Sequence, residues 1–189
     1  MNIVIFGPQG VGKGTQAKLL ASHYALKHIS TGDALRESIK SGAPIGKIAN
    51  NFIQKGEFVP DDVVNEIVEK DLAKHTNGWI LDGYPRNLEQ VEYLHSALEK
   101  LDQKIDYIIV LSAPHSVLVE RMNQRREIEN RSDDIEQIIE KRLELFREKT
   151  KPVLDYYNEH NIVKTLNGVG EIEEVNKYII ANIESLKQG

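Results

Sequence analysis

The chain contains no cysteine. Disulfides are therefore excluded, as are zinc or iron–sulfur centres held by thiolates. It also lacks any apolar run approaching the ~18 residues that a membrane span requires, although 40% of its residues are hydrophobic. The first residues, MNIVIFGPQG, hold a five-residue apolar stretch with no basic flank, which reads as a buried strand and not as a signal peptide. Positive charge is scarce: 24 Lys and Arg stand against 29 Asp and Glu, for a net charge of −5. That balance argues against a general nucleic-acid binder. There is no internal repeat, no low-complexity segment and no obvious association stripe. A length of 189 residues suits one domain, with room for small inserted lobes and a sizeable core. The expectation is a monomeric, cytoplasmic globular protein without membrane or nucleic-acid partners.

Short apolar runs at 2–6, 78–82, 105–111 and 162–166 read as buried strands, with a very short candidate at 28–30. Helical patterns fall at 13–24, 33–41, 45–55, 61–73, 87–102, 115–125, 134–159 and 171–187. This alternation implies an α/β protein with a parallel sheet covered on both faces. Residues 31–73 break the alternation, with three helices in a row punctuated by Gly42, Pro44, Gly56 and Pro60. They read as an inserted helical lobe. Residues 126–133 are polar and lack an apolar pattern, so they are expected to form a loop or small flap.

The sharpest motif is Gly7-Pro8-Gln9-Gly10-Val11-Gly12-Lys13-Gly14-Thr15. It follows a predicted strand and opens a predicted helix, the context a P-loop needs. Glycines let successive backbone N–H groups turn inward around a polyphosphate, the helix N-terminus adds partial positive charge, and Lys13 neutralises the β and γ phosphates. The general pattern has Ser or Thr directly after the lysine; here Gly14 stands there and Thr15 follows one position later.

Arginine is distributed unevenly. Six of the eight lie between 121 and 147. Ile135, Ile138, Ile139, Leu143 and Phe146 form an apolar stripe at helical spacing, and Arg142 falls within it. A buried guanidinium needs an anionic partner, which an internal carboxylate or a bound phosphate could supply. Arg121 and Arg125 are spaced i,i+4 on one face. Arg131 lies eleven residues before Arg142, about 16 Å along a straight helix. A bend near Ser132–Asp134 is therefore expected to fold the flap over the site. Asp82 ends a buried strand with a carboxylate, suited to the hydration shell of a Mg²⁺ ion near phosphates. Arg126 and Arg147 read as surface charges.

Five blocks in order, GPQGVGKGTQ at 7–16, HISTGDALR at 28–36, GWILDGYPRNLEQ at 78–90, ERMNQRR at 120–126 and RSDDIEQIIEKR at 131–142, resemble the nucleoside monophosphate kinases, and the adenylate kinase branch most closely. The resemblance spans nearly the whole chain. It implies a three-layer P-loop kinase fold with a core at 1–29, 60–124 and 135–189, a nucleoside-monophosphate-binding lobe at 30–59 and a short lid at 125–134. A lid this short and without cysteine holds no structural zinc. ATP would lie on Gly10, Val11, Gly12, Lys13, Gly14 and Thr15, with Arg121, Arg125 and the backbone of Gly170. AMP would meet Thr31, Arg36, Glu57, Phe58, Val59, Gly83, Tyr84, Pro85, Arg86, Gln90, Arg131 and Arg142. The catalytic set would be Lys13, Arg86, Arg121, Arg131 and Arg142. Mg²⁺ would enter as Mg-ATP, through water or nucleotide near Thr15, Asp33 and Asp82.

The implied reaction is Mg-ATP plus AMP giving two ADP, reversibly. In the resemblance, Thr31 and Gln90 mark an adenine acceptor, where pyrimidine-directed relatives tend to carry Ala and Asn. An amide can offer adenine a donor–acceptor pair. No general base is required, because the second pKa of AMP is roughly 6, and none of the six histidines is given a role. The alternatives are a UMP/CMP kinase of the same fold and a non-catalytic nucleotide-binding module. A regulatory GTPase would need Asn-Lys-x-Asp, and Asn176-Lys177 is followed by Tyr-Ile.

Overall fold

The computed structural model of the protein describes residues 1–129, 135–160 and 162–187. Its strands are β1 (Asn2–Phe6), β2 (Lys27–Ser30), β3 (Trp79–Asp82), β4 (Tyr107–Ser112) and β5 (Val163–Asn167). They form one parallel sheet in the order β2-β3-β1-β4-β5. The helices are α1 (Lys13–Tyr24), α2 (Thr31–Lys40), α3 (Pro44–Ile53), α4 (Asp61–Lys74), α5 (Leu88–Lys100), α6 (His115–Glu129), α7 (Glu136–Leu145), α8 (Lys151–Asn158) and α9 (Ile172–Lys187). The α/β architecture with a covered parallel sheet is the one expected from the alternation of apolar runs.

Side-chain alternation explains why the central strands are continuously apolar. From β1, Val4 and Phe6 enter the core on one face of the sheet, and Ile3 and Ile5 enter the other. In β4, Ile108 and Val110 face the first core while Ile109 and Leu111 face the second. A strand covered on both sides has no polar face to present. α4, α5 and α8 supply Val68, Leu94 and Val153 to the first core, and α1, α6, α7 and α9 supply Leu20, Met122, Leu143 and Ile179 to the second. Each such fully buried side chain contributes about 1.5–3 kcal/mol before entropy is counted, so the middle of the sheet is the rigid platform.

The strand order also locates the site. The chain leaves β1 toward β2 on one side of the sheet and leaves β3 toward β4 on the other. The loops after these two adjacent strands therefore diverge, and a crevice opens between their carboxyl ends. The P-loop follows β1, and the loop holding Gly83–Arg86 follows β3.

Three details differ from the sequence-based expectation. α2 starts at Thr31 and is capped by Ser30, whose Oγ accepts the Asp33 N–H at 3.3 Å. α6 runs to Glu129, past the expected end at 125; arginine and glutamate are good helix formers and need no apolar stripe to continue one. The expected helix 134–159 is divided. α7 ends at Leu145, a π-turn occupies Phe146–Thr150, and α8 follows. Pro152, near the start of α8, has no N–H for the preceding turn, and its ring crowds the carbonyl four residues back. Ile135 is the N-cap of α7 and is 42% exposed, so the buried stripe begins with Ile139. The expected bend at Ser132–Asp134 lies outside the described residues.

Candidate active site

The P-loop is shaped by two glycines with left-handed backbone, Gly10 at φ 83° and Gly12 at φ 99°. Gly10 has a second reason: a Cβ there would lie 2.6 Å from the carbonyl oxygen of Leu118 in α6, closer than any side chain tolerates. Gly12 is the N-cap of α1, so the orphan N–H groups of that helix open toward the cleft. Lys13 folds back over the loop and donates from Nζ to the Pro8 carbonyl at 2.8 Å. Burial pulls its ammonium down to about 7. Asp82 acts in the opposite direction, and Arg86, Arg125 and Arg142 lower it further. Gly14 lies beside Asp82. A Cβ there would meet Asp82 Oδ2 at 3.4 Å, an ordinary van der Waals contact.

Across the crevice, Thr31 is 1% exposed. Its hydroxyl donates to the Gly83 carbonyl at 3.0 Å, which ties the start of α2 to the loop after β3. Arg36 pairs with Asp33 one turn earlier on the same helix. Burial alone would raise the Asp33 carboxyl, but the Arg36 hydrogen bond and charge hold it below its ordinary value. Arg86 is held on every side. Its Nε donates to the Gly83 carbonyl at 2.7 Å, its guanidinium lies 5.3 Å from the centre of the Phe58 ring, and its own carbonyl accepts from Thr150 Oγ1 at 3.0 Å. Burial lowers Arg86 to about 10, with Arg142 and Arg36 adding to the fall and Asp82 opposing it. It therefore stays charged at neutral pH.

One cavity of about 520 Å³ holds most of the expected residues. The whole of Gly10–Thr15, Arg121, Arg125 and Gly170 line it, together with Asp33, Asp82, Gly83, Tyr84 and Pro85. A smaller cavity beside it is lined by Thr31, Glu57, Val59 and Gln90. Arg36, Phe58, Arg86 and Arg142 line both. Arg131 lies outside the described residues. Arg121 donates from Nη1 to the carbonyls of Val11 at 3.2 Å and Gly168 at 3.0 Å, so it joins the P-loop to the turn that carries Gly170. Arg126 and Arg147 are exposed.

Several residues at the site fall outside the set expected to contact nucleotide. Gln9 lines both cavities, and its buried Oε1 has no hydrogen-bond partner. His28 Nε2 lies 3.5 Å from Asp82 Oδ2. Asp61, Asn87 and Thr150 act through contacts 26 to 64 residues away in the chain, which no local motif reveals. The oxygen atoms of Thr15, Asp33 and Asp82 are hard ligands of the kind Mg²⁺ accepts. Among the described residues no three His, Asp or Glu cluster as a metal cage. This donor set fits a Mg²⁺ ion carried chiefly by phosphates and water.

Anion-binding backbone at one wall and half-buried arginines at the other suit the passage of a phosphoryl group from one nucleotide to a second. Fold and cleft together place the protein among the P-loop nucleotide kinases. A sequence model of the adenylate kinase family matches residues 5–162. The chain is 47% identical to an adenylate kinase of Bifidobacterium longum over 97% of its own length and all of that protein. It is 41% identical to an adenylate kinase of Prochlorococcus marinus, with 94% of this chain and 95% of the other covered. It is 40% identical to adenylate kinase 1 of a Nostoc species, over 97% and 98%. The chain belongs to the adenylate kinase family, enzymes of reversible ATP:AMP phosphoryl transfer. Among the described residues no helix is long and apolar enough to cross a membrane.

Proposed function

We propose that this cleft transfers the terminal phosphoryl group of Mg-ATP reversibly to AMP, giving two ADP. The donor triphosphate lies on Gly10–Thr15. The acceptor lies between Thr31, Arg36, residues 57–59, the 83–86 loop and Gln90. The observation that carries this reading is the single cavity lined both by the P-loop and by Arg36, Arg86 and Arg142. Two nucleotides bound at its ends would meet phosphate to phosphate.

The chemistry is positioning and charge stabilisation. AMP brings an ionised nucleophile, its second pKa being roughly 6, so no side chain has to remove a proton. Lys13 neutralises the donor phosphates and regains full charge beside them. Arg86 and Arg142, with their planar forks, grip phosphate oxygens in pairs. Arg121 adds charge while its Nη1 holds two backbone segments in register. When bound, Mg²⁺ supplies neutralisation of the donor phosphates, and Thr15 and Asp82, with Asp33 nearby, would hold it through water. The division into a core, an acceptor-binding lobe at 30–59 and a lid at 125–134 carrying Arg131 belongs to the same reading. Closure of both would exclude water and suppress hydrolysis of ATP. A monomer resident in the cytoplasm completes it, and sedimentation checks the first of these.

The test is to mix the protein with Mg-ATP and each of AMP, CMP, UMP and GMP and to score diphosphate formation. AMP should be the preferred acceptor, and Lys13→Ala should lower turnover by about 10²-fold or more. Preference for UMP or CMP would replace the acceptor assignment. ATP binding with no transfer to any acceptor would make the protein a binding module.

A further inference from the structure

Gln90 lines the acceptor cavity and is 1% exposed. Its side-chain amide is held at both ends. Oε1 accepts the backbone N–H of Arg86 at 2.7 Å, and Nε2 donates to Asp61 Oδ1 at 2.6 Å. Asp61, the first residue of α4, is itself braced, because its Oδ2 accepts from Asn87 Nδ2 at 2.9 Å. Asn87 in turn caps α5 by accepting the Gln90 backbone N–H on Oδ1 at 2.8 Å.

A primary amide is nearly symmetrical in shape, and a half-turn exchanges its oxygen and its nitrogen. At Gln90 the chemistry of the neighbours forbids that exchange. A carboxylate only accepts, so Asp61 must face the NH₂ end. A backbone N–H only donates, so Arg86 must face the oxygen. The flipped amide would set oxygen against carboxylate and N–H against N–H, both buried and both costly.

After these two bonds the amide keeps one N–H and one oxygen lone pair, in a fixed order. Bases fall into two classes by what they present to such a pair. Adenine and cytosine carry an amino donor beside a ring-nitrogen acceptor. Guanine and uracil carry a carbonyl acceptor beside a ring N–H donor. A freely turning amide could serve both classes, whereas a locked one serves a single class.

We propose that Asp61 is the specificity-determining positioning residue of the acceptor site: it locks the Gln90 amide so that amino-bearing bases are accepted and oxo-bearing bases are refused. The apolar walls, among them Phe58, Val59 and Val64, then choose between the larger and smaller amino-bearing rings. This inference rests on the reading of AMP as the acceptor bound in this cavity.

The experiment compares the parent with Asp61→Asn and Asp61→Leu, using Mg-ATP and AMP, CMP, GMP or UMP. Asparagine keeps the shape of the carboxylate and can turn its own amide to meet a flipped Gln90. The AMP-to-GMP ratio of kcat/KM should fall by about tenfold or more, since the discrimination comes from buried polar groups left unpaired by the wrong base. The loss should appear in KM for AMP, with KM for ATP unchanged, a split that general loosening of the fold would not produce. Asn87→Ala, which loosens Asp61 without altering it, reads the same ratio if neither Asp61 variant folds. A folded variant that keeps the parent's AMP-to-GMP ratio overturns the role of Asp61. A parent that does not prefer AMP overturns the acceptor assignment itself, so the two failures are told apart.

Discussion

Replacing Lys13 by methionine keeps most of the side chain's apolar length and removes its ammonium. Burial pulls this ammonium down to about 7, Asp82 offsets part of the fall, and three arginines add to it. A bound triphosphate reverses that balance: its charges favour the ammonium, and the pKa returns to the ordinary value near ~10.4 or above. Donor binding must then take up a proton. At pH 8.5 only about 3% of empty sites carry that proton and nearly all complexes do, so uptake approaches about one proton per nucleotide. At pH 7 it is about half a proton, and it shrinks further as pH falls, because the empty site is then already charged. Calorimetric titration with Mg-ATP in buffers of different ionisation enthalpy measures this number directly. The nucleotide does not contribute at pH 8.5, its last phosphate pKa being roughly 6. Lys13→Met should abolish the uptake. A parent value below about one third of a proton at pH 8.5 would refute the reasoning. So would equal uptake in the variant.

Two further substitutions separate side-chain chemistry from support. Arg142→Ala should lower kcat by about 10²-fold or more, the usual loss for a stabiliser of transition-state charge; parental activity would make Arg142 a structural cation instead. Tyr84→Phe should behave in the opposite way. Its hydroxyl donates to Asn65 Oδ1 at 2.5 Å and lies 3.2 Å from the Gln90 carbonyl, both protein groups. Thermal unfolding should therefore record a loss of about 1 kcal/mol, while KM for AMP stays within about twofold.

The P-loop and the central strands could be read without coordinates because each depends on neighbours in the chain. Glycines before a lysine, after an apolar run and before a helix, describe one continuous backbone path from Phe6 to Thr15. β1, β3 and β4 are apolar on both faces because both faces are covered, and that requirement is visible in strands of four to six residues. The family blocks extended this to Arg36, Arg86 and Gln90, which do line the cleft. The breaks in helices were harder to see. Pro152 stands inside an otherwise helical pattern, and the polar residues after Arg125 continue α6 where a loop was expected.

What the sequence determined by itself was therefore the anion-binding loop, the layered α/β class and the family. These follow from local sterics and from patterns of burial. Only the tertiary structure decided how the acceptor side is held. Thr31 reaches the loop 52 residues later, Thr150 supports the carbonyl of Arg86 across 64 residues, and Asp61 meets Gln90 across 29. An aspartate at a helix start is an ordinary sight in any sequence. It becomes a constraint on base choice only when folding sets its carboxylate against an amide that a backbone N–H already holds from the other end.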